Sequence, residues 1–166
     1  LMIRNKRLVI MANMIEGVLL TPLKQINHPR GDVYHAMKRL DTGYIDFGEA
    51  YFSSILCGLV KAWKRHSRMT LNLVCMVGKI HFVLYDGRED SPTYGQFMEA
   101  TLSPEKLELY RRITIPPGVW MAFIGVGEGK SMLLNVADIP HDPTEQVNIP
   151  AEESDIKFDF TKISIQ

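Results

Sequence analysis

The sequence predicts an all-β domain of sandwich or barrel type, with the jelly roll as its natural form. Three observations carry that expectation. Short runs rich in β-branched and aromatic residues recur along the chain, among them "IDFGEAYFSSILCGLVKAW", "TLNLVCMV", "KIHFVLYD", "VWMAFIGV" and "SMLLNVADI". Clusters of Gly, Pro, Asp and Ser separate most of these runs, as turns separate strands. No long amphipathic pattern of helical period occurs, so helix is confined to at most one or two short turns. Many short strands with Gly/Pro turns bury their apolar faces by packing sheet on sheet.

Taken in order, the elements begin with "RNKRLVIMA", a basic start followed by an apolar run too short for a secretory signal. Residues 1–13 are expected to be a non-native or disordered leader, with translation starting at Met14 or Met11. The strand-like "VYHAMKRL" follows, then the long apolar run that ends in "KAWKRH". "LVCM" in the next run shows no alternation, so that strand is expected to be covered on both faces. Val77-Gly78-Lys79 then reads as a tight hairpin. "KIHFVLYD" alternates, with Ile80, Phe82 and Leu84 on one face and His81, Val83 and Tyr85 on the other. Ser103-Pro104 is a helix-start signal, but the "IPPG" turn follows too soon for more than a turn or two. Residues 14–150 form the expected jelly-roll domain. Residues 151–166 are an acidic, proline-punctuated tail whose last stretch reads as an edge strand or an arm across a partner.

Composition narrows the function classes. The 166 residues suffice for one domain with a proper core. With 19 basic residues against 19 acidic ones, there is no electrostatic case for nucleic acid or an anionic membrane. No run approaches membrane-spanning length, and Cys57 and Cys75 sit inside apolar runs as reduced core thiols. A cytoplasmic protein is expected. The five histidines include no His-x-His or His-x-x-x-His pair, so no metal and no cofactor are expected. "IGVGEGKS" matches only the end of a phosphate loop. Ile124 stands where the first glycine belongs and a strand-like run follows, which makes it a hairpin turn.

Two stretches remain. "LYDGREDSPTYG" puts Asp86, Arg88, Glu89 and Asp90 before a Ser-Pro-Thr turn. Arg88 is suited to a two-pronged contact with carboxylate or phosphate, and chemistry alone favours an ion pair with Asp86 or Glu89. "GLVKAWKRH" is an apolar strand that abruptly acquires charge, as a sheet edge does, or an active-site floor. Alternation places Lys64 and His66 on one face and Trp63 and Arg65 on the other.

"YDGREDSPTYGQF", followed by "LSPEKLELYRRITIPPGVWMAF", resembles the dTDP-4-dehydrorhamnose 3,5-epimerase family, and "HPRGDVY" is similar to that family's Arg-Gly-aromatic strand. The likeness spans roughly residues 20 to 150. It implies the cupin-type double-stranded β-helix, a homodimer and a nucleoside-diphosphate sugar as ligand. It further implies an imidazole base held by a carboxylate, a tyrosine acid opposite and a lysine that stabilises the enolate. This chain departs at those positions. Lys64 stands where the catalytic histidine belongs, the family's lysine falls near Leu71, and its tyrosine falls near Asn135. A second family histidine is missing from Trp120-Met121-Ala122-Phe123, and the glutamate of the Arg-Gly strand falls near His35. Arg30, Asp86 and Arg88 match, with Arg30 and Arg88 implied as holders of the nucleotide end.

Two functions follow as expectations. One is an epimerase-like enzyme of cell-surface polysaccharide biosynthesis, acting on a nucleoside-diphosphate 4-keto-6-deoxy sugar. Its catalytic residues are Lys64, His66 and Asn135, and its binding residues are Arg30, His35, Lys61, Arg88 and Trp120. The other is a non-catalytic sugar-nucleotide-binding cupin. A weaker third is an isomerase or dehydratase of a sugar acid that uses lysine chemistry.

Overall fold

The computed structural model describes residues 13–165; apart from Asn13, the expected leader lies outside them. The architecture is a double-stranded β-helix built from two five-stranded sheets. One sheet has the order β1 (Leu19–Pro22), β9 (Arg111–Ile115), β6 (Leu71–Val77), β11 (Lys130–Ala137), β4 (Glu49–Leu56). The other runs β12 (Gln146–Asn148), β5 (Val60–His66), β10 (Val119–Gly125), β7 (Ile80–Asp86), β8 (Phe97–Leu102). A separate two-stranded ribbon joins β2 (Gln25–Ile26) to β3 (Val33–Tyr34). All the named pairings are antiparallel.

The sequence patterns reappear as packing. Leu71 to Cys75 in β6 are buried without interruption. Leu73 and Cys75 face the core between the sheets, while Val74 packs outward against Leu23 and Tyr110. In β7, Ile80, Phe82 and Leu84 enter that same core and Val83 joins a second cluster on the outer face. The hairpin between β6 and β7 turns at Gly78, whose φ of 75° a side chain would resist. An added Cβ there would also lie 2.4 Å from Ser131 Oγ. "VGEG" is the hairpin between β10 and β11, so a strand follows the glycines and no phosphate-binding helix does.

Three segments differ from simple strand expectations. Only Val33–Tyr34 of "VYHAMKRL" is strand. The residues beyond are held instead by the fully buried Arg112, which donates to the carbonyls of Ala36 and Thr42 and pairs with Asp41 at 3.0 Å. Helical content consists of four three-residue 3₁₀ turns among the described residues. One, Leu107–Leu109, follows Ser103-Pro104. Three lie in the C-terminal segment, where the Asp142 and Asp159 side chains accept from Thr144 and Thr161 N–H. Among its described residues the tail forms no edge strand. Ile156, Phe158, Phe160 and Ile163 fold back over Trp63, Val83 and Trp120 on the outer face of their own sheet.

Candidate active site

Between the sheets lies a cavity of about 380 Å³, within the range of small-ligand sites. β5 supplies Lys61, Lys64 and His66, β10 supplies Met121 and Phe123, and β12 supplies Asn148. Facing them are Tyr51 and Ser53 of β4, Leu71 and Leu73 of β6, and Leu133 and Asn135 of β11. "KAWKRH" is therefore a cavity wall.

Its side chains sort by face. His66 and Lys64 point in, while Arg65 turns out and stacks 4.8 Å from the Trp120 ring centroid. Trp63 is buried in the outer cluster with Trp120. Strict alternation would turn Lys61 away from Lys64. The β5–β10 register slips between Met121 and Phe123, so Met121 opposes Lys64 and Phe123 opposes Lys61. That irregularity re-aims one side chain and lets both lysines line the cavity.

The centre of the site is a dyad. His66 is buried, and its Nδ1 meets Glu145 Oε1 in a short hydrogen bond. The other carboxylate oxygen, Oε2, accepts the Arg68 and Met69 backbone N–H groups at 3.1 and 3.2 Å. Glu145 reaches this place because the chain after Asp142-Pro143 runs back along β5, with Gln146 paired to His66. A carboxylate on Nδ1 fixes the tautomer that bears its proton there and leaves the Nε2 lone pair free. Nε2 is buried and has no hydrogen-bond partner among the described residues.

Electrostatics suit that role. Burial, helped by Lys64 and His141, outweighs the Glu145 bond and holds the His66 pKa below its ordinary value. The imidazole is then neutral near pH 7 and able to accept a proton. Burial works to raise the Glu145 carboxyl, but His66 and the two backbone donors outweigh it and keep the group ionised. Lys64 is half-buried and engages in no hydrogen bond or ion pair among the described residues. Burial lowers its pKa, Glu145 works the other way, and Lys61 adds to the lowering. Lys61 donates to the Ser54 carbonyl at 2.8 Å and lies over the Phe123 ring.

On the opposite wall, Asn135 Nδ2 donates to the Tyr51 hydroxyl at 3.0 Å. These residues are direct partners across the β4–β11 ladder. Asn135 Oδ1 is buried without a partner among the described residues.

The cavity thus brings together Lys61, Lys64, His66 and Asn135 of the expected site residues. The other four lie outside its lining. Arg30 is exposed in the turn of the β2–β3 ribbon. His35 is partly buried, and its carbonyl receives the Tyr110 hydroxyl. Trp120 faces outward, since Met121 takes the inward place in the alternation of β10. Arg88 is committed to Asp86 by Nε and Nη2, each at 2.8 Å, and Nη2 also donates to the Glu16 carbonyl. The ion pair favoured by chemistry alone is the one formed.

Glu145 and Tyr51 were not singled out by sequence. Glu145 sits in a polar turn 79 residues from its partner, and only the return of β12 along β5 joins them. Tyr51 did carry a signal, because alternation in "YFSSI" sets Tyr51, Ser53 and Ile55 on one face.

A larger hollow of about 730 Å³ lies on the outer face of β7–β8 beneath the tail. Both ring nitrogens of its histidine, His81, are engaged by Thr101 and Glu99, which leaves none for chemistry. No group of three or more His, Cys, Asp or Glu among the described residues is placed to hold a metal. No helix among them is long and apolar enough to cross a membrane.

Comparison with known proteins converges on one family. The family model described as dTDP-4-dehydrorhamnose 3,5-epimerase matches residues 13–166. The chain is similar to a crystallised dTDP sugar isomerase from Desulfovibrio desulfuricans G20, at 40% identity and a TM-score of 0.84 over 91% of this chain and 95% of that one. It is 35% identical to a Haloferax volcanii protein named "Probable low-salt glycan biosynthesis epimerase Agl13", over 55% of this chain and 57% of the other. It is 27% identical to the spore coat polysaccharide biosynthesis protein SpsL of Bacillus subtilis, over 89% of this chain and 97% of that one. The chain thus spans little more than half of the Haloferax protein in that match and nearly all of the Bacillus protein. The match over the whole jelly roll makes the chain a member of the dTDP-4-dehydrorhamnose 3,5-epimerase family.

Proposed function

We propose that the protein is an epimerase-type isomerase of a nucleoside-diphosphate 4-keto-6-deoxy sugar, acting in cell-surface polysaccharide biosynthesis. The observation that carries this reading is the buried His66–Glu145 dyad in the cavity wall, with Nε2 unpartnered among the described residues. A carbon-bound proton next to a keto group is acidic enough for a neutral imidazole when the resulting enolate is stabilised. Lys64, two residues along the same wall and without a hydrogen bond or ion pair among the described residues, is the cation best placed to meet the enolate oxygen. Lys61 lies at the same wall and contributes positive charge for the sugar or its diphosphate. The family and the names of the relatives support the ligand class and the polysaccharide setting.

Two cations in a cavity also hold an anionic ligand without any chemistry, so Lys61 and Lys64 support a second reading as a sugar-nucleotide binder. Proton NMR in heavy water separates the two. The protein is mixed with 4-keto-6-deoxy sugars carrying different nucleoside diphosphates. Loss of a ring-proton signal beside the keto group supports the enzyme and identifies the carbon. Ligand lines that broaden without exchange support the binder.

We also infer a homodimer. The outer face of the edge strand β4 exposes Phe52 and Leu56, and Ile45 and Phe47 lie exposed just before it. A patch of that kind on an edge strand is usually covered by another chain.

A further inference from the structure

A cation that meets a keto oxygen lies beside the carbonyl carbon too. We propose that the Lys64 amine also forms a reversible imine with the keto group of the sugar, an inference that rests on the keto-sugar ligand of the reading above. The protein then carries a covalent step besides proton transfer.

Surroundings come first. An amine attacks a carbonyl once it has lost its proton, and a desolvated site without a dedicated counter-ion favours that state. Lys64 is half-buried in the cavity wall and opposes Met121 across the β5–β10 ladder. With His66 it also bounds a narrow recess whose other walls include Met69, Leu71, Ile115 and Val119. Burial and the neighbouring Lys61 both disfavour its ammonium form. Glu145 works the other way, but that carboxylate is already engaged by His66 and two backbone N–H groups.

The second lysine of the wall makes the contrast. Lys61 is exposed and its ammonium donates to the Ser54 carbonyl at 2.8 Å. Lys64 has no hydrogen bond or ion pair among the described residues, so nothing of that kind holds its proton.

Imine formation also needs a group that takes protons and returns them. His66 stands two residues along β5 on the same wall, its Nε2 unpartnered among the described residues.

The step balances. The Lys64 ammonium gives a proton to His66 Nε2, and the freed electron pair forms a C–N bond as the C=O pair moves to oxygen. That oxygen takes one proton from the nitrogen and one from His66 and leaves as water. The product is a protonated imine beside a neutral imidazole. When His66 then removes the neighbouring C–H proton, the electron pair moves to the nitrogen and gives an enamine. Addition of water reverses the sequence and restores ketone and lysine.

The test treats the protein with a dTDP-linked 4-keto-6-deoxyhexose and cyanoborohydride, which delivers hydride to a protonated imine. Deuterium uptake beside the keto group is followed separately in heavy water. The parent is expected to gain the mass of the sugar nucleotide less one oxygen atom, on the peptide that contains Lys64. Lys64→Arg keeps the charge and is expected to lose the adduct, while Lys61→Arg retains it. The site mapped in the parent decides the matter if either variant fails to fold. An adduct on Lys61, adducts scattered over exposed lysines, or none from a parent that takes up deuterium would overturn the proposal and leave the epimerase reading standing. An adduct on Lys64 without deuterium uptake would support the imine and overturn the epimerase reading. With neither signal, both fall.

Discussion

His66 and Glu145 stand 79 residues apart in sequence and meet through a buried Nδ1–Oε1 hydrogen bond inside the jelly roll. Because the carboxylate is itself fixed by two backbone N–H groups, the imidazole is held in one orientation, with Nε2 unpartnered among the described residues. Removing the charge at Glu145 therefore acts through the histidine. Glu145→Gln is expected to lower kcat on the order of 10²–10⁴-fold, with KM changing far less. Steady-state kinetics on the same sugar nucleotide checks this.

The pH dependence follows from the direction of the His66 shift. Burial makes the folded imidazole harder to protonate than in the unfolded chain, where its pKa is 6.5. Below that value the unfolded state binds more protons, so stability falls as pH drops from 6.5. Activity requires the neutral form, so kcat/KM rises on an acid limb whose midpoint lies below 6.5. Lys64 helps to hold that midpoint down, so Lys64→Met moves it upward. A pH profile of both proteins is the measurement.

Arg88 is expected to matter for stability rather than for binding. Asp86 is fully buried and collects Arg88, Ser91 and Thr93. Burial would raise its carboxyl, but these donors hold it well below the carboxylate range. The stabilisation is present above the unfolded value of 3.8 and lost as pH falls through the lower folded one. Arg88→Ala removes the guanidinium from that buried carboxylate and costs about 3 kcal/mol. Thermal unfolding should show the loss, with KM for the sugar nucleotide little changed.

The exposed apolar side chains around β4 make the oligomer testable. Phe52 is 62% exposed and Leu56 is 54% exposed. Replacing both with Asp is expected to convert a dimer into a monomer in sedimentation or light scattering, with the fold intact by circular dichroism.

Legibility in the sequence followed the range of the interaction. Period-2 alternation in "KIHFVLYD" and the uniform run "LVCM" report burial on one face or two, so those strands could be read directly. The same alternation put Lys64 and His66 on one face, and they share the cavity. Lys61 shares it for a reason that alternation does not contain, the slipped register opposite Met121 and Phe123. Trp120 was placed in the site by resemblance, yet it faces outward because Met121 takes the inward position. Arg112 reads as an ordinary strand arginine, and only the fold shows it buried and holding the segment after β3. Glu145 and Tyr51 escaped because each gains its role from a partner on another strand. Asn135 marks the place of the second, being the direct ladder partner of Tyr51.

The central claim is that His66 is the base. The measurement that tests it most directly is the rate at which the carbon-bound proton beside the keto group exchanges with heavy water, in the parent protein and in His66→Asn. The account predicts exchange in the parent and a loss on the order of 10²–10⁴-fold in the variant, with ligand affinity within a few-fold. Equal exchange in both proteins would contradict it, as would a parent that binds the sugar nucleotide tightly and exchanges nothing.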